Sequence, residues 1–155
     1  MALDLYHLME QALQQAQDAF LAGEVPVGAV VADETGRVLG RGRNQSITLN
    51  DPTAHAEIQA MRAASQAVEN YRLPGSVLVV TLEPCVMCMG AAIQARIAHL
   101  VFGAHDPKAG GAESLYHIGR DKRLNHEIKI TAGIMAEDCG ALLKNFFRAR
   151  RQRKN

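Results

Sequence analysis

Residues 77–88 read Val-Leu-Val-Val-Thr-Leu-Glu-Pro-Cys-Val-Met-Cys and join a strand signal to a helix signal. The first five residues form a continuous apolar run of strand length, which is typical of a strand buried on both faces. Pro84 stands just before a helix that we expect over about residues 85–96. This stretch therefore predicts a central buried strand that leads directly into a helix with two cysteines in its first turn.

The elements on either side of this stretch alternate between strands and helices. They comprise a helix over residues 3–22, strands over 27–32 and 37–42, a helix from 51 to about 67, strands over 100–102 and 127–131, and a closing helix from 136 to about 151. Asp51-Pro52 is interpreted as an N-cap followed by proline in the first helical turn. This alternation predicts an α/β fold with a central mixed sheet covered by helices on both faces. We expect residues 1–155 to form one domain.

The amino-acid composition is that of a globular protein without a membrane span. A hydrophobic content of 48% with 21% charged residues is ordinary for a globular chain. No apolar run approaches the ~18 residues that a membrane span needs, so we expect no membrane partner. The N-terminus lacks a signal-peptide pattern. Three cysteines are an odd number in a chain large enough to fold without disulfides, so we expect a cytoplasmic protein whose cysteine pair serves metal or redox chemistry.

Charge is distributed unevenly although the net charge is only +1. No lysine or arginine precedes Arg37. After Asp138 there are basic residues and no acids. The basic residues are Lys144, Arg148, Arg150, Arg151, Arg153 and Lys154. This asymmetry indicates an anionic partner near the C-terminal end, and a solvated helix end is the alternative interpretation.

Three side chains have the types and spacing of a catalytic zinc site. Cys85 and Cys88 stand at i and i+3 in the first turn of a predicted helix, so both sulfurs can reach one metal ion. The partial positive charge of a helix N-terminus favours the thiolate that zinc requires. His55, at the start of another predicted helix, would be the third ligand. The fourth tetrahedral position is then left to water, as in catalytic zinc sites.

Glu57, two residues after His55, supplies the group that hydrolysis needs besides the metal. A carboxylate must take a proton from the attacking water and return it later. Residues two apart do not share a face deep inside a helix. In the first turn, where the backbone is only half helical, both side chains can enter one pocket. We therefore predict that Glu57 is the proton shuttle.

Each half of this pattern alone is weak. Cys-x-x-Cys also occurs in redox pairs and structural zinc sites, and a lone histidine is usually a satisfied polar residue. The combination of His-x-Glu with Pro-Cys-x-x-Cys is the pattern of zinc-dependent deaminases. We interpret the chain as a zinc-dependent hydrolytic deaminase. A redox pair, a structural zinc site and a non-catalytic zinc-stabilised RNA-binding module are the alternatives, and Cys139 is interpreted as a buried thiol.

These residues resemble a known family. The sequence is similar to the bacterial tRNA-specific adenosine deaminases, which convert the wobble adenosine of an anticodon to inosine. The resemblance covers about residues 24–152. Its matching segments are EVPVGAV at 24–30, DPTAHAE at 51–57, NYRL at 70–73, TLEPCVMC at 81–88, VFGA at 101–104, NH at 125–126, and FFR with RR at 146–148 and 150–151.

The resemblance implies a fold, an assembly and a nucleoside pocket. The fold would be a cytidine deaminase-like three-layer α/β/α sandwich with a central mixed five-stranded sheet. The assembly would be a homodimer with one zinc ion per subunit, whose subunits both help to hold the RNA. Asn44 would hydrogen-bond the flipped nucleoside. Val25 and Val27 would line the pocket around the adenine, and Ala54 belongs to the same substrate-binding set.

The resemblance also implies contacts to a tRNA anticodon stem-loop. Asp106 and Lys108 would meet the neighbouring nucleotides, and Phe147 and Arg150 would lie against the anticodon loop. Aromatic and arginine planes can stack on unstacked bases, and basic side chains can pair with phosphates. The basic C-terminal run, with its two phenylalanines, is now better explained as an RNA contact.

The nearest competing function is a zinc deaminase of a free base, nucleoside or nucleotide, of the guanine or cytosine type. The zinc motif is shared with such enzymes, whereas the flanking segments and the basic tail favour the tRNA branch. The sequence departs from the family pattern at Arg43, Ser46 and His105 and over residues 117–123. These departures fall in predicted loops and leave the zinc motif untouched.

Overall fold

A five-stranded mixed sheet forms the centre of the structure, a computed structural model that describes residues 2–153. The strands are β1 (Gly28–Ala32), β2 (Val38–Arg43), β3 (Val77–Leu82), β4 (His99–Ala104) and β5 (Lys129–Ala132). They lie in the order β2-β1-β3-β4-β5. β1 is antiparallel to both β2 and β3, and β3, β4 and β5 are parallel to one another. The predicted mixed sheet is confirmed.

Helices cover both faces of the sheet. They are α1 (Leu5–Leu21), α2 (Ala56–Val68), α3 (Val86–Gln94) and α4 (Ala136–Arg153), with a short 3-10 helix at Ile118–Arg120. Side chains of α2 and α3 pack on one face in one apolar cluster, and those of α1 and α4 pack on the other. Alternate residues of β3 enter the two clusters, as its continuous apolar run predicts. The three-layer α/β/α fold is confirmed.

Gly42 lets the start of α2 lie close to the end of β2. A Cβ atom at this position would overlap the backbone of Ala56 and Ala60 in α2. Because no other residue fits such an approach, the glycine sets how near the first turn of α2 comes to the sheet. This turn contains two of the predicted site residues.

The predicted helix start at Asp51-Pro52 is wrong. The Asp51 carboxylate accepts hydrogen bonds from the N–H and the hydroxyl of Thr53, at 2.8 and 2.7 Å, and so forms a local turn instead of capping a helix. The helix begins at Ala56, and its N-cap is His55, whose backbone is extended. His55 therefore lies directly before the first turn of α2.

The other boundaries differ from the predicted ones by a few residues. Cys85 is the N-cap of α3, so the helix itself starts one residue later than predicted. β5 starts two residues later than predicted, and α4 continues to Arg153. Lys154, part of the basic run, lies outside the described residues. Within residues 2–153, every helix is too short or too polar to cross a membrane.

Candidate active site

A cavity of about 220 Å³ lies at the end of the sheet where β3 and β4 finish. Its walls come from the segment before β1, the residue after β2, the starts of α2 and α3, and the loop after β4. The lining residues are Val25, Val27, Asn44, His55, Ala56, Glu57, Leu82, Glu83, Cys85, Asp106 and Ala109. The topology therefore gathers segments that are far apart in the sequence around one pocket.

His55, Cys85 and Cys88 bring three metal-type donor atoms together beside this cavity. His55 Nδ1 lies 3.6 Å from the Cys85 sulfur and 3.5 Å from the Cys88 sulfur. All three donor atoms lie within 4.8 Å of one another. Zn–N and Zn–S bonds of ~2.1 and ~2.3 Å at a tetrahedral angle separate nitrogen and sulfur by about 3.6 Å. The donor set and its spacing therefore fit a zinc ion.

The two sulfurs and the imidazole share protons unequally. A hydrogen bond from the Cys88 thiol, with a further one from His55, lowers the pKa of Cys85 to about 3. The pKa of Cys88 is raised because the Cys85 sulfur holds its proton. The hydrogen bond with Cys85 likewise raises the pKa of His55. Because a metal ion requires deprotonated ligands, binding at this group would release protons.

Glu57 is the second residue of α2, and its side chain is only 4% exposed. Burial disfavours the charged form and raises the pKa of the carboxyl to about 7. A carboxyl with a pKa near neutrality can both accept and donate a proton at physiological pH. Because Glu57 lies in the first turn of the helix, it lines the same cavity as His55 and Cys85.

Of the four residues predicted to contact the nucleoside, three line the cavity and one does not. Val25 and Val27 form an apolar wall, and the Asn44 backbone N–H is held by the carbonyl of Val27 at 3.1 Å. The Ser46 hydroxyl donates to the Asn44 amide oxygen at 3.0 Å, which leaves the amide NH₂ group to donate elsewhere. Ala54 is fully buried and is not a lining residue, although its carbonyl anchors the loop next to Asn44.

The predicted RNA contacts lie in two places. Asp106 lines the cavity itself, whereas the other three line an adjoining groove of about 700 Å³. The groove is lined by Lys108, Leu143, Lys144, Phe147, Arg148, Arg150 and Arg151. Phe147 is 42% exposed, while the neighbouring Phe146 is buried and packs under the Arg150 guanidinium at 5.1 Å. A positively charged surface with one exposed aromatic ring therefore borders the cavity.

Glu24 and Glu83 belong to the matching segments of the sequence but were not predicted as site residues, and both carboxylates are buried near the cavity. Glu24 accepts hydrogen bonds from the backbone N–H groups of Ile47 and Thr48, at 3.2 and 2.6 Å. It thereby ties down the loop that follows Asn44. An acidic residue inside an otherwise apolar segment is the sequence signal that could have marked both positions.

His105, one of the departures from the family pattern, belongs to a small cluster of polar side chains outside the cavity. Its ring nitrogen lies 3.0 Å from the Glu113 carboxylate, and Arg120 reaches the same carboxylate at 3.2 Å. The His105 ring also packs edge-on against Phe102 of β4. This departure therefore adds surface contacts to the loop after β4 without entering the site.

Comparison with known proteins covers nearly the whole chain. The family model of MafB19-like deaminases matches residues 3–151. The chain is 48% identical over 147 residues to the tRNA-specific adenosine deaminase of Haemophilus influenzae, covering 95% of this chain and 85% of the relative. It is 40% identical over 146 residues to that of Bacillus subtilis, covering 94% and 90%.

A solved structure that is similar to this chain in both sequence and fold belongs to the same kind of protein as the sequence relatives. It comes from biochemical and structural studies of A-to-I editing by tRNA:A34 deaminases at the wobble position of transfer RNA. The two chains share 43% identity and a TM-score of 0.85, over 88% of this chain and 99% of the other. Sequence and fold thus point to the same group of proteins.

Proposed function

The chain belongs to the tRNA-specific adenosine deaminases, and on that basis we propose that it converts adenosine to inosine at the wobble position of a tRNA anticodon. The reaction consumes water and releases ammonia. The observation that supports the chemistry is a cluster of three metal-type donors, two of which line one cavity together with the buried Glu57 carboxyl. The basic groove beside the cavity supports an RNA substrate.

His55, Cys85 and Cys88 would hold one zinc ion per subunit, since one nitrogen and two sulfur donors at this spacing suit a tetrahedral zinc site. When bound, zinc lowers the pKa of a water molecule enough to supply a nucleophile near neutral pH. Buried Cys88 and the N-cap residue Cys85 are fixed by the start of α3, and His55 by the start of α2. The rigid helix ends would therefore keep the three donors in place.

Glu57 would move the protons of the reaction. Its carboxylate would take one proton from the attacking water and deliver it to N1 of the adenine while the water oxygen bonds to C6. The same carboxyl would then transfer the remaining hydroxyl proton to the amino group as the bond from C6 to that nitrogen breaks. The products are inosine and ammonia. The near-neutral pKa that burial gives Glu57 suits both directions of transfer.

The flipped nucleoside would be held by the part of the cavity wall that Val25, Val27 and Asn44 form. Val25 and Val27 would pack on the adenine ring, and the Asn44 NH₂ group would donate a hydrogen bond to the nucleoside. Ser46 supports this assignment, because its hydroxyl already occupies the Asn44 amide oxygen. An enzyme that acts on a base must take it out of its stack. In an anticodon loop the bases are not in a duplex, so extruding one costs less free energy.

The groove beside the cavity would hold the rest of the anticodon stem-loop. The exposed Phe147 ring can stack on a base, and Arg150 and Lys108 can pair with phosphates or stack on bases. Asp106, on the loop shared by cavity and groove, would meet a nucleotide next to the target. Extruded adenosine and flanking nucleotides would thus be held on adjoining surfaces.

We also propose that the protein is a single-domain homodimer that works in the cytoplasm. The family resemblance implies the dimer, and an exposed apolar groove of about 530 Å³ between α2 and α3 supports it. Reduced cysteines, which a zinc site requires, suit a cytoplasmic location. Sedimentation of the zinc-loaded protein measures the assembly: a dimeric mass supports the proposal, and a monomeric mass contradicts it.

Placement of the target adenosine tests the proposed function. Two anticodon stem-loops of the same composition are compared, one with adenosine at the wobble position and one with that adenosine moved to another loop position. We expect inosine only from the first. Equal inosine from both would contradict wobble specificity. Deamination of free guanine or cytosine instead would favour the small-molecule alternative, which the sequence relatives do not favour.

A further inference from the structure

Glu83 is a buried carboxylate surrounded by hydrogen-bond donors. Its side chain is 2% exposed. One oxygen accepts the Asp106 backbone N–H at 3.0 Å and a short bond from the Ser114 hydroxyl. The other accepts the backbone N–H groups of Ala112, Glu113 and Ser114, at 3.2, 2.8 and 2.9 Å. A single side chain thus ties both ends of residues 106–114, which we call the wall loop.

The wall loop lies directly against the start of the helix that contains the two site cysteines. The Gly111 N–H donates to the Pro84 carbonyl at 2.7 Å, and Gly110 forms an isolated β-bridge with Cys85. A Cβ atom at Gly110 would overlap the Glu83 carboxylate. The carboxylate therefore fills the space under the loop and fixes its distance from α3.

The same loop forms the side of the cavity that faces RNA in the proposed function. Asp106 and Ala109 line the cavity, and Lys108 between them lines the basic groove. A shift of the loop would therefore move both surfaces relative to Glu57. His55 and Cys88 belong to other segments and would stay in place. Cys85 contacts the loop through Gly110, but its carbonyl is also held by the Met89 N–H of α3 at 2.9 Å.

We propose that Glu83 is a positioning residue that holds the wall loop in the shape that receives the nucleotides next to the target adenosine. This inference rests on the proposed function for the identity of the ligand. An ionised carboxylate has only acceptor sites, so it can satisfy several converging donors at once. A glutamine would turn its NH₂ group toward N–H groups of the loop, and an aspartate is one methylene too short to reach both ends of it.

The test compares zinc-loaded Glu83→Gln with wild type and with Glu113→Gln. Glu113 provides the matched control, because it is in the same loop but its carboxylate faces outward to His105 and Arg120. The quantities to be measured are the hydrogen exchange of the loop amides, the zinc content, and KM and kcat on the stem-loop. For Glu83→Gln we expect exchange at residues 112–114 and KM each to rise about tenfold, because hydrogen bonds to a charged acceptor are lost. We expect zinc content to stay at the wild-type level and kcat to change less than about threefold.

A purely structural role would instead lower zinc content and kcat together and leave KM unchanged, and that result would overturn the proposal. Wild-type exchange and KM in Glu83→Gln would overturn it as well. Glu83→Asp restores the charge, so we expect its amide exchange to lie between those of wild type and Glu83→Gln.

Gly110→Ala provides an independent test if Glu83→Gln does not fold. It keeps the carboxylate but pushes the loop away from it, so we expect a raised KM with zinc retained. A wild-type KM in folded Gly110→Ala contradicts the proposal. If the wild-type protein makes no inosine from RNA, the proposed function fails. The exchange data then still decide whether Glu83 holds the loop.

Discussion

The Nδ1 atom of His55 lies 3.5 Å from the sulfur of Cys88, although 33 positions separate them in the chain. The two residues meet because α2 and α3 both begin at the same end of the sheet and pack on the same face. Their distance is the one that a shared tetrahedral metal ion imposes.

Loss of one sulfur donor should remove the metal. We expect Cys88→Ser to weaken zinc affinity by at least about a hundredfold, because even partners behind the ligands alter affinity by ten- to hundredfold. Cys139→Ser is the matched control, since Cys139 is a buried free cysteine on the opposite face of the sheet. Zinc per chain, measured by atomic emission, should drop only in Cys88→Ser. Equal zinc in both variants would refute the assignment of ligands.

Replacing Glu57 with glutamine should separate binding from turnover. Glu57→Gln keeps the size of a buried side chain but cannot shuttle protons. We expect kcat on the stem-loop to fall by about 10²- to 10⁴-fold, the usual contribution of general acid–base catalysis. Zinc content and the dissociation constant of the RNA should stay near those of wild type. Wild-type turnover in this variant would be incompatible with the proposed proton shuttle.

Glu24 should make the stability of the fold depend on pH. Burial alone would raise the pKa of Glu24, but hydrogen bonds from Thr48 and Ile47 and the nearby charge of Arg150 hold it below the ordinary 4.5. A carboxyl with a lowered pKa in the folded state stabilises the fold above its unfolded pKa. That contribution is lost as the pH falls through its folded pKa.

We therefore expect Glu24→Gln to reduce the free energy of unfolding near pH 7, and the difference from wild type to shrink as the pH falls below the ordinary carboxyl pKa of 4.5. Urea unfolding at a series of pH values measures this difference. Glu10→Gln, on the exposed side of α1, is the control and should show no such trend. A difference that grows as the pH falls would contradict the hydrogen-bonded carboxylate.

The exposed ring of Phe147 should contribute to RNA binding. Base–aromatic stacking contributes ~1–3 kcal/mol per base, so we expect Phe147→Ala to weaken stem-loop binding by about ten- to a hundredfold. Tyr6→Ala removes another exposed aromatic ring, on α1, which does not line the groove, and this variant should bind RNA like wild type. Fluorescence anisotropy with a labelled stem-loop measures both. Equal affinities would place the RNA elsewhere.

Much of the architecture could be predicted because local sequence patterns determine it. The run that became β3 is apolar at every position except Thr81, and it is buried on both faces. The helix start at Cys85 follows Pro84, and the pairing of His-x-Glu with Cys-x-x-Cys predicted which residues would meet. The start of α2 was misplaced because an aspartate before proline can cap a helix or close a turn. Here the hydroxyl of Thr53, the residue after the proline, favours the turn by donating a hydrogen bond to the aspartate.

The buried carboxylates could not be predicted in the same way. Glu83 binds backbone N–H groups 23 to 31 positions away, and Glu24 binds others 23 and 24 positions away. Backbone donors leave no residue pattern in a sequence, because every residue except proline has one. Only the folded chain reveals which loop each carboxylate holds. The residues that shape the pocket were therefore harder to predict than those that would bind the metal.

The most direct test of the account is the inosine formed by purified, zinc-loaded protein from an anticodon stem-loop with adenosine at the wobble position. Free adenosine, cytidine, cytosine and guanine are assayed in parallel, and mass spectrometry of the digested RNA detects the product. We expect inosine from the stem-loop and no turnover of the free compounds. Turnover of a free compound with none on the RNA would contradict it, and would leave the zinc chemistry without the proposed substrate.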